Sequence, residues 1–174
     1  IVEVDMDKDI IKKVVALAKQ YNKKLYGVVS NMSIAVERRD FLKHFDCFIC
    51  NQLEAGMLFM EDYADKSPEE LRDILSKRVI LGKIPAMIVT MGGNGAVYAD
   101  VNGEKGICPP QRVRVKDTTG AGDAFCAGVA SGLTYGKTLS EAVEIGSRLA
   151  ASVITSSENV CPRFLPEEFG ITLD

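Results

Sequence analysis

The sequence predicts an α/β protein, a three-layer α/β/α sandwich on a mostly parallel sheet with an antiparallel edge from the 96 to 115 region. Three observations lead there. Helical apolar stripes alternate with short, fully apolar strands through the first half of the chain, the signature of a parallel sheet with helices on its faces. A proline-led helix start and a glycine-rich strand turn follow in the middle. Near the C-terminal end, a glycine-bracketed turn opens into two helices rich in small residues.

The elements follow in order. Ile1 to Asp5 reads as a strand entered partway along. With no initiator methionine, this predicts that the chain is a piece of something longer. Lys8 to Tyr21 carries Ile10, Ile11, Val14, Val15, Leu17 and Ala18 at a spacing that makes one helical stripe. Lys24 to Ser30 reads as a strand, Ala35 to His44 as a helix, and Cys47 to Cys50 as a buried strand. Ser67-Pro68-Glu69-Glu70 places a cap, a first-turn proline and two carboxylates where a helix begins, predicting a helix over 68–78. Ala86 to Thr90 is the next buried strand. Gly92 to Gly95 makes a tight turn into a strand over 96–98, and a further short strand precedes Pro109-Pro110. After Val113 to Val115, a turn over 117–122 leads into a helix from Asp123 to Leu133, and a second helix covers 140–155. No linker or repeat divides the chain, so 1–174 reads as a single nucleotide-binding and catalytic domain portion.

Composition narrows the function. With 47% hydrophobic and 26% charged residues the chain can bury a core. A net charge of −3 offers no basic footprint for a phosphate backbone, which argues against nucleic acid and for a small-molecule site. No segment approaches the ~20 apolar residues that span a bilayer, so no membrane partner is expected. Five cysteines, an odd number scattered through apolar stretches, fit reduced thiols in a cytoplasmic protein. The Cys47-Cys50 pair invites a redox or metal reading, but its setting in an apolar strand favours core packing. The single histidine, His44, is read as structural and given no role.

Chemistry concentrates at Asp117-Thr118-Thr119-Gly120-Ala121-Gly122-Asp123-Ala124-Phe125. Two glycines bracket an alanine directly before an apolar helix, so the first-turn amides converge on one unobstructed point. The helix dipole adds roughly half a positive charge there. A carboxylate at the rim, Asp123, could take a proton from an attacking hydroxyl while the amides hold a transferring phosphate. The competing reading is that Asp123 caps the helix and the glycines make a turn. A Walker-type loop is excluded by the absence of GKS or GKT. A Rossmann dinucleotide site is disfavoured by the late position of the glycines and the lack of a following acidic strand end.

The run from Asp117 to Phe125 closely resembles the DTxGAGDxF signature of the ribokinase-like (PfkB) carbohydrate kinase family. The resemblance implies an ATP-dependent kinase with Gly120, Ala121 and Gly122 as the anion hole and Asp123 as the catalytic base. It also implies a K⁺ site lined by Asp117 and Thr119. Asn51-Gln52-Leu53-Glu54 is similar to the family's NxxE, whose Asn51 and Glu54 hold Mg²⁺ through water. Read without the family, the same four residues are an ordinary capped helix start. Val89 to Ala96 resembles the segment that passes beside the nucleotide, which assigns Thr90, Gly92 and Gly95 to cofactor binding. Ser147 falls where members place a contact to the adenine pocket.

The resemblance covers the C-terminal part of the family's chain, with the N-terminal signature and substrate lid missing. It implies a sugar or nucleoside acceptor and a homodimer in the full-length protein. Val28 to Ser30, Ala35 to Arg39 and Asp46 to Asn51, with the tail 157–162, are loosely similar to the pseudouridine kinase-like branch. Ribokinase, fructokinase and keto-deoxy sugar kinase types remain alternatives, as does a non-catalytic nucleotide-binding module.

Overall fold

The computed structural model describes residues 1–157 and 165–171, which fall into two compact units, Ile1–Ile107 and Cys108–Asp174. Cys161 and most of the 157–162 tail lie outside the described residues.

The first unit is built on the sheet. Its strands are β1 (Val2–Glu3), β2 (Tyr26–Val28), β3 (Cys47–Asn51), β4 (Ala86–Thr90), β5 (Ala96–Asp100) and β6 (Lys105–Cys108), and they lie side by side in sequence order. β1 to β4 run parallel, while β5 returns antiparallel to β4, as the glycine turn between them predicts. Helices α1 (Lys8–Gln20), α2 (Met32–Val36), α3 (Gln52–Phe59) and α4 (Pro68–Gly82) supply the crossovers.

Successive strand residues face opposite sides, and here both sides are buried. Phe48, Cys50, Met87, Val89, Val97 and Ala99 pack with Ile11 and Val15 of α1, Leu58 of α3, and Leu71, Leu75 and Val79 of α4. On the other face Cys47, Ile49, Ile88 and Tyr98 are buried as well, which is why these strands read as continuous apolar runs. Cys47 and Cys50, three apart on one strand, point to opposite faces and are both core residues, as expected.

Three local readings change. The segment from Ala35 to His44 is not one helix: α2 covers Met32–Val36, and a 3-10 turn runs over Arg39–His44. Tight bonds from Arg38 N–H to Ala35 O (2.9 Å) and from Phe41 N–H to Arg38 O (3.0 Å) replace the α ladder. The strand expected over 24–30 shrinks to Tyr26–Val28, because Lys24 and Leu25 are drawn to Asp46. The antiparallel edge expected to reach residue 115 stops at Cys108, and Val113 to Val115 forms no strand. Both valines are exposed, so no burial rewards an extended ladder there.

The second unit holds α5 (Ala121–Thr134) and α6 (Leu139–Thr155). Their contact is made by small residues. A Cβ on Gly128 would sit 2.7 Å from the Cα of Gly146, and one on Gly146 would sit 2.7 Å from Phe125 O. Ile145 and Leu149 of α6 pack with Ile171. Among the described residues no helix is long and apolar enough to cross a membrane.

Because neither backbone can retreat, Gly146→Val should force the two helices apart. The expected loss is about 1–3 kcal/mol or more, read as a lowered urea midpoint. Gly136→Ala is the control, since a Cβ there meets nothing within 4 Å and only its positive φ of 78° adds strain.

Candidate active site

In the first unit the parallel register pairs Cys50 with Val89 and Asn51 with Thr90, so the carboxyl ends of β3 and β4 are level. Asn51 is at once the last strand residue and the cap of α3. Its Oδ1 accepts from Glu54 N–H at 2.9 Å, and Glu54 Oε2 accepts from Asn51 N–H at 2.7 Å. This reciprocal box pins a carboxylate at the strand end and leaves Glu54 Oε1 outside it. Gln52, beside them, donates from Nε2 to Tyr63 O (2.5 Å), Ala64 O (3.3 Å) and Lys66 O (3.3 Å), which ties down the loop beyond α3.

Thr90 leads into a 3-10 turn over Gly92–Asn94, closed by Met91 N–H donating to Gly95 O at 2.8 Å. Gly92 (φ 54°) and Gly95 (φ 87°) adopt backbone angles that other residues rarely take. Nothing lies within 4 Å of where a Cβ on Gly92 or Gly93 would stand, so bare backbone faces open space.

In the second unit the loop before α5 is anchored by Lys116 N–H, which donates to Ile154 O at 2.8 Å. Asp117 Oδ1 then accepts from both Thr119 N–H (2.9 Å) and Thr119 Oγ1 (2.8 Å). The Thr119 amide, followed by its hydroxyl, holds the Asp117 carboxyl below its ordinary value of 3.8. Gly120, at φ 79° and ψ −3°, turns the chain into the helix.

The start of α5 differs from every other described α-helix. Asp7, Asn31, Asn51, Ser67 and Thr138 each cap a helix through a side-chain oxygen. At α3, α4 and α6 a glutamate in the third helical position also bonds back to the cap amide. Gly120 has no side chain to offer, and Asp123, in that same third position, makes no such bond. Ala121 N–H donates to Thr118 O (3.2 Å) and Ala124 N–H to Gly120 O (2.9 Å). The amides of Gly122 and Asp123 meet no acceptor among the described residues. Gly122 faces open space, and the Asp123 side chain is exposed. The helix-cap reading of Asp123 therefore has no bond to support it.

Ser147, on α6, is half-buried and engages Cys108, whose thiol is pushed up by burial while the Ser147 hydrogen bond partly offsets it. Sequence reasoning missed this pairing, since a serine and a cysteine 39 positions apart carry no shared pattern. The site residues thus gather as Asn51, Glu54 and Thr90 with the Gly92–Gly95 turn in one unit. Asp117, Thr119 and Gly120 to Asp123 gather in the other, with Ser147 on α6. Among the described residues no group of three or more His, Cys, Asp or Glu could by itself hold a metal ion.

A helix start with no side-chain cap, its Gly122 facing open space, is the kind of place where an anion can be held. Residues 1–162 match the pfkB family carbohydrate kinase model, and the chain belongs to that family. It is 34% identical over 161 residues to the guanosine-inosine kinase of Exiguobacterium acetylicum, covering 91% of this chain and 52% of that relative. The match to the pseudouridine kinase of Escherichia coli is 35% over 69 residues, 40% of this chain and 22% of the relative. Among solved structures, a carbohydrate kinase from Agrobacterium tumefaciens superimposes with a TM-score of 0.70 at 26% identity, covering 97% of this chain and 51% of that one. The chain spans about half the length of the guanosine-inosine kinase it matches.

The Asp117 turn makes a pH prediction. Its folded-state carboxyl titrates below the ordinary value of 3.8, so its contribution to the loop is present above that value and is lost as pH falls through the folded midpoint. Thr119→Val removes the hydroxyl donor and should move the Asp117 midpoint upward in a carboxyl-carbon NMR titration. An unmoved midpoint would assign the depression to the backbone amide alone.

Proposed function

We propose that this chain carries the phosphoryl-transfer residues of a kinase that moves the γ-phosphate of ATP to a hydroxyl of a nucleoside or sugar. One observation carries the reading: Asp123 stands in the helical position where α3, α4 and α6 place a capping glutamate, yet it bonds to nothing there, beside two unengaged amides. A carboxylate so placed is free to accept a proton, and the N–H groups of Gly122 and Asp123 are free to donate to anionic oxygens.

In the proposed step the acceptor oxygen attacks the γ-phosphorus, its proton passes to the Asp123 carboxylate, and the bond to the β–γ bridging oxygen breaks. The helix-start amides stabilise charge on the equatorial oxygens as it accumulates. Since Gly122 lacks a Cβ and open space lies before it, a phosphoryl group can approach the backbone.

Asn51 and Glu54 are the residues that would hold magnesium. Their donors are oxygens, as a hard cation requires, and the capping box still leaves one Glu54 oxygen for a metal-bound water. The ion, when bound, neutralises phosphate charge. Asp117 and Thr119 offer carboxylate and hydroxyl oxygens suited to K⁺. Thr90, Gly92 and Gly95 shape the turn assigned to the nucleotide, with open space at Gly92, and Ser147 is assigned to the adenine side.

A nucleoside acceptor is favoured. Support comes from the guanosine-inosine kinase, which matches along 91% of the chain. The pseudouridine assignment rests on a shorter match of 69 residues.

Asp123→Asn, made in the longest native form of the protein, should lower kcat by about 10²–10⁴-fold while nucleotide affinity, measured by calorimetry, stays within a few-fold. Unchanged turnover removes Asp123 as the base. Gly122→Val should keep the thermal midpoint, because its side chain enters empty space, yet weaken nucleotide binding by obstructing the amides. A coupled ADP-release assay across inosine, guanosine, pseudouridine, ribose, fructose and a keto-deoxy sugar acid then ranks the acceptors. A preference for a free sugar would overturn the nucleoside assignment.

A further inference from the structure

We propose that a second small-anion site, suited to a phosphate-bearing molecule, lies at the amino ends of β2, β3 and β4, the opposite end of the sheet from Asn51 and Thr90. A cavity of about 210 Å³ opens there against Leu25, Asp46 and Pro85, the residues that lead into those three strands. Lys19, in the last turn of α1, and Lys23, beyond its C-cap Tyr21, line it together with His44.

The charge balance of this cavity is cationic. Asp46 is its one acidic lining residue, and that carboxylate is already engaged by Lys24 Nζ (3.0 Å) and by Leu25 N–H (2.7 Å). Lys19 and Lys23 pair with no carboxylate among the described residues. Lys43 adds a further positive charge beside His44. Burial first, then the charges of Lys19 and Lys43, hold the His44 imidazole below its ordinary value of 6.5. These groups repel one another across a hollow, and an anion seated between them would relieve that repulsion.

A plainer account is that lysines near a helix C-terminus answer the helix dipole. It covers Lys19, which lies in the last turn of α1. Lys43 and His44 stand in the last turn of a separate 3-10 helix, and the helix-end account does not explain why two helix ends bring their basic groups to one hollow. The α1 end is also closed without them, by Lys23 N–H donating to Ala18 O at 2.8 Å.

His44 is the only histidine in the chain, so its imidazole gives one resolved proton NMR signal. The test follows that signal through a pH titration in inorganic phosphate and in chloride at matched ionic strength. Phosphate should raise the His44 midpoint by about 0.5 pH or more, corresponding to preferential binding to the charged imidazole. The rise should saturate with phosphate concentration. In a Lys19→Gln/Lys23→Gln variant with an unchanged circular dichroism spectrum it should vanish, and in Lys23→Gln alone it should shrink. Equal midpoints in the two salts would overturn the proposal, as would an undiminished rise in the variants. The readout does not involve phosphoryl transfer, so it stands or falls apart from the kinase reading.

Discussion

Every α-helix begins with amides that its own hydrogen-bond ladder cannot satisfy, and the way each start is resolved sets α5 apart from the other described α-helices. Five described α-helices close theirs with a side-chain cap, and three of those add a returning glutamate. α5 does neither. A capped start has that demand met by its own side chain. An uncapped one keeps an unmet demand for an anion, and its partial positive charge is available to whatever approaches.

That demand is maintained by its surroundings. Gly120 takes a left-handed backbone angle to deliver the chain into the helix, where most side chains would strain the turn and an Asn or Asp would offer itself as a cap. The loop ahead is held by the Asp117–Thr119 turn and by main-chain bonds to the end of α6. Behind it, the glycine contacts between α5 and α6 bring two backbones within van der Waals range, so α5 has little freedom to shift. Rigidity comes from packing, while openness comes from the missing caps.

In the sheet unit, by contrast, one box does two jobs. Asn51 and Glu54 satisfy the start of α3 and, in doing so, fix oxygen donors at the end of β3, level with Thr90 on β4. Burial on both faces of β3 and β4 makes that register hard to slip, because a one-residue shift would exchange the two buried faces. At the other end of the same strands, the cationic hollow around His44 has no comparable cap or box.

The sequence by itself determined the α/β class, the parallel strands with their antiparallel return, and the string from Asp117 to Phe125. Each of these is written in local periodicity or in an uninterrupted run of residues. It also carried both readings of Asn51 to Glu54, cap and ligand, and the structure supports the cap without removing the ligand's oxygens. Only the tertiary structure decided that Asp123 is not a cap, because that depends on where a carboxylate ends up relative to an amide three residues away. The break at Arg38, the loss of the strand at Val113 to Val115, the Cys108–Ser147 contact and the cavity lined by His44 were likewise tertiary decisions. Each arises from burial or from charges brought together from distant parts of the chain, and no local pattern encodes those.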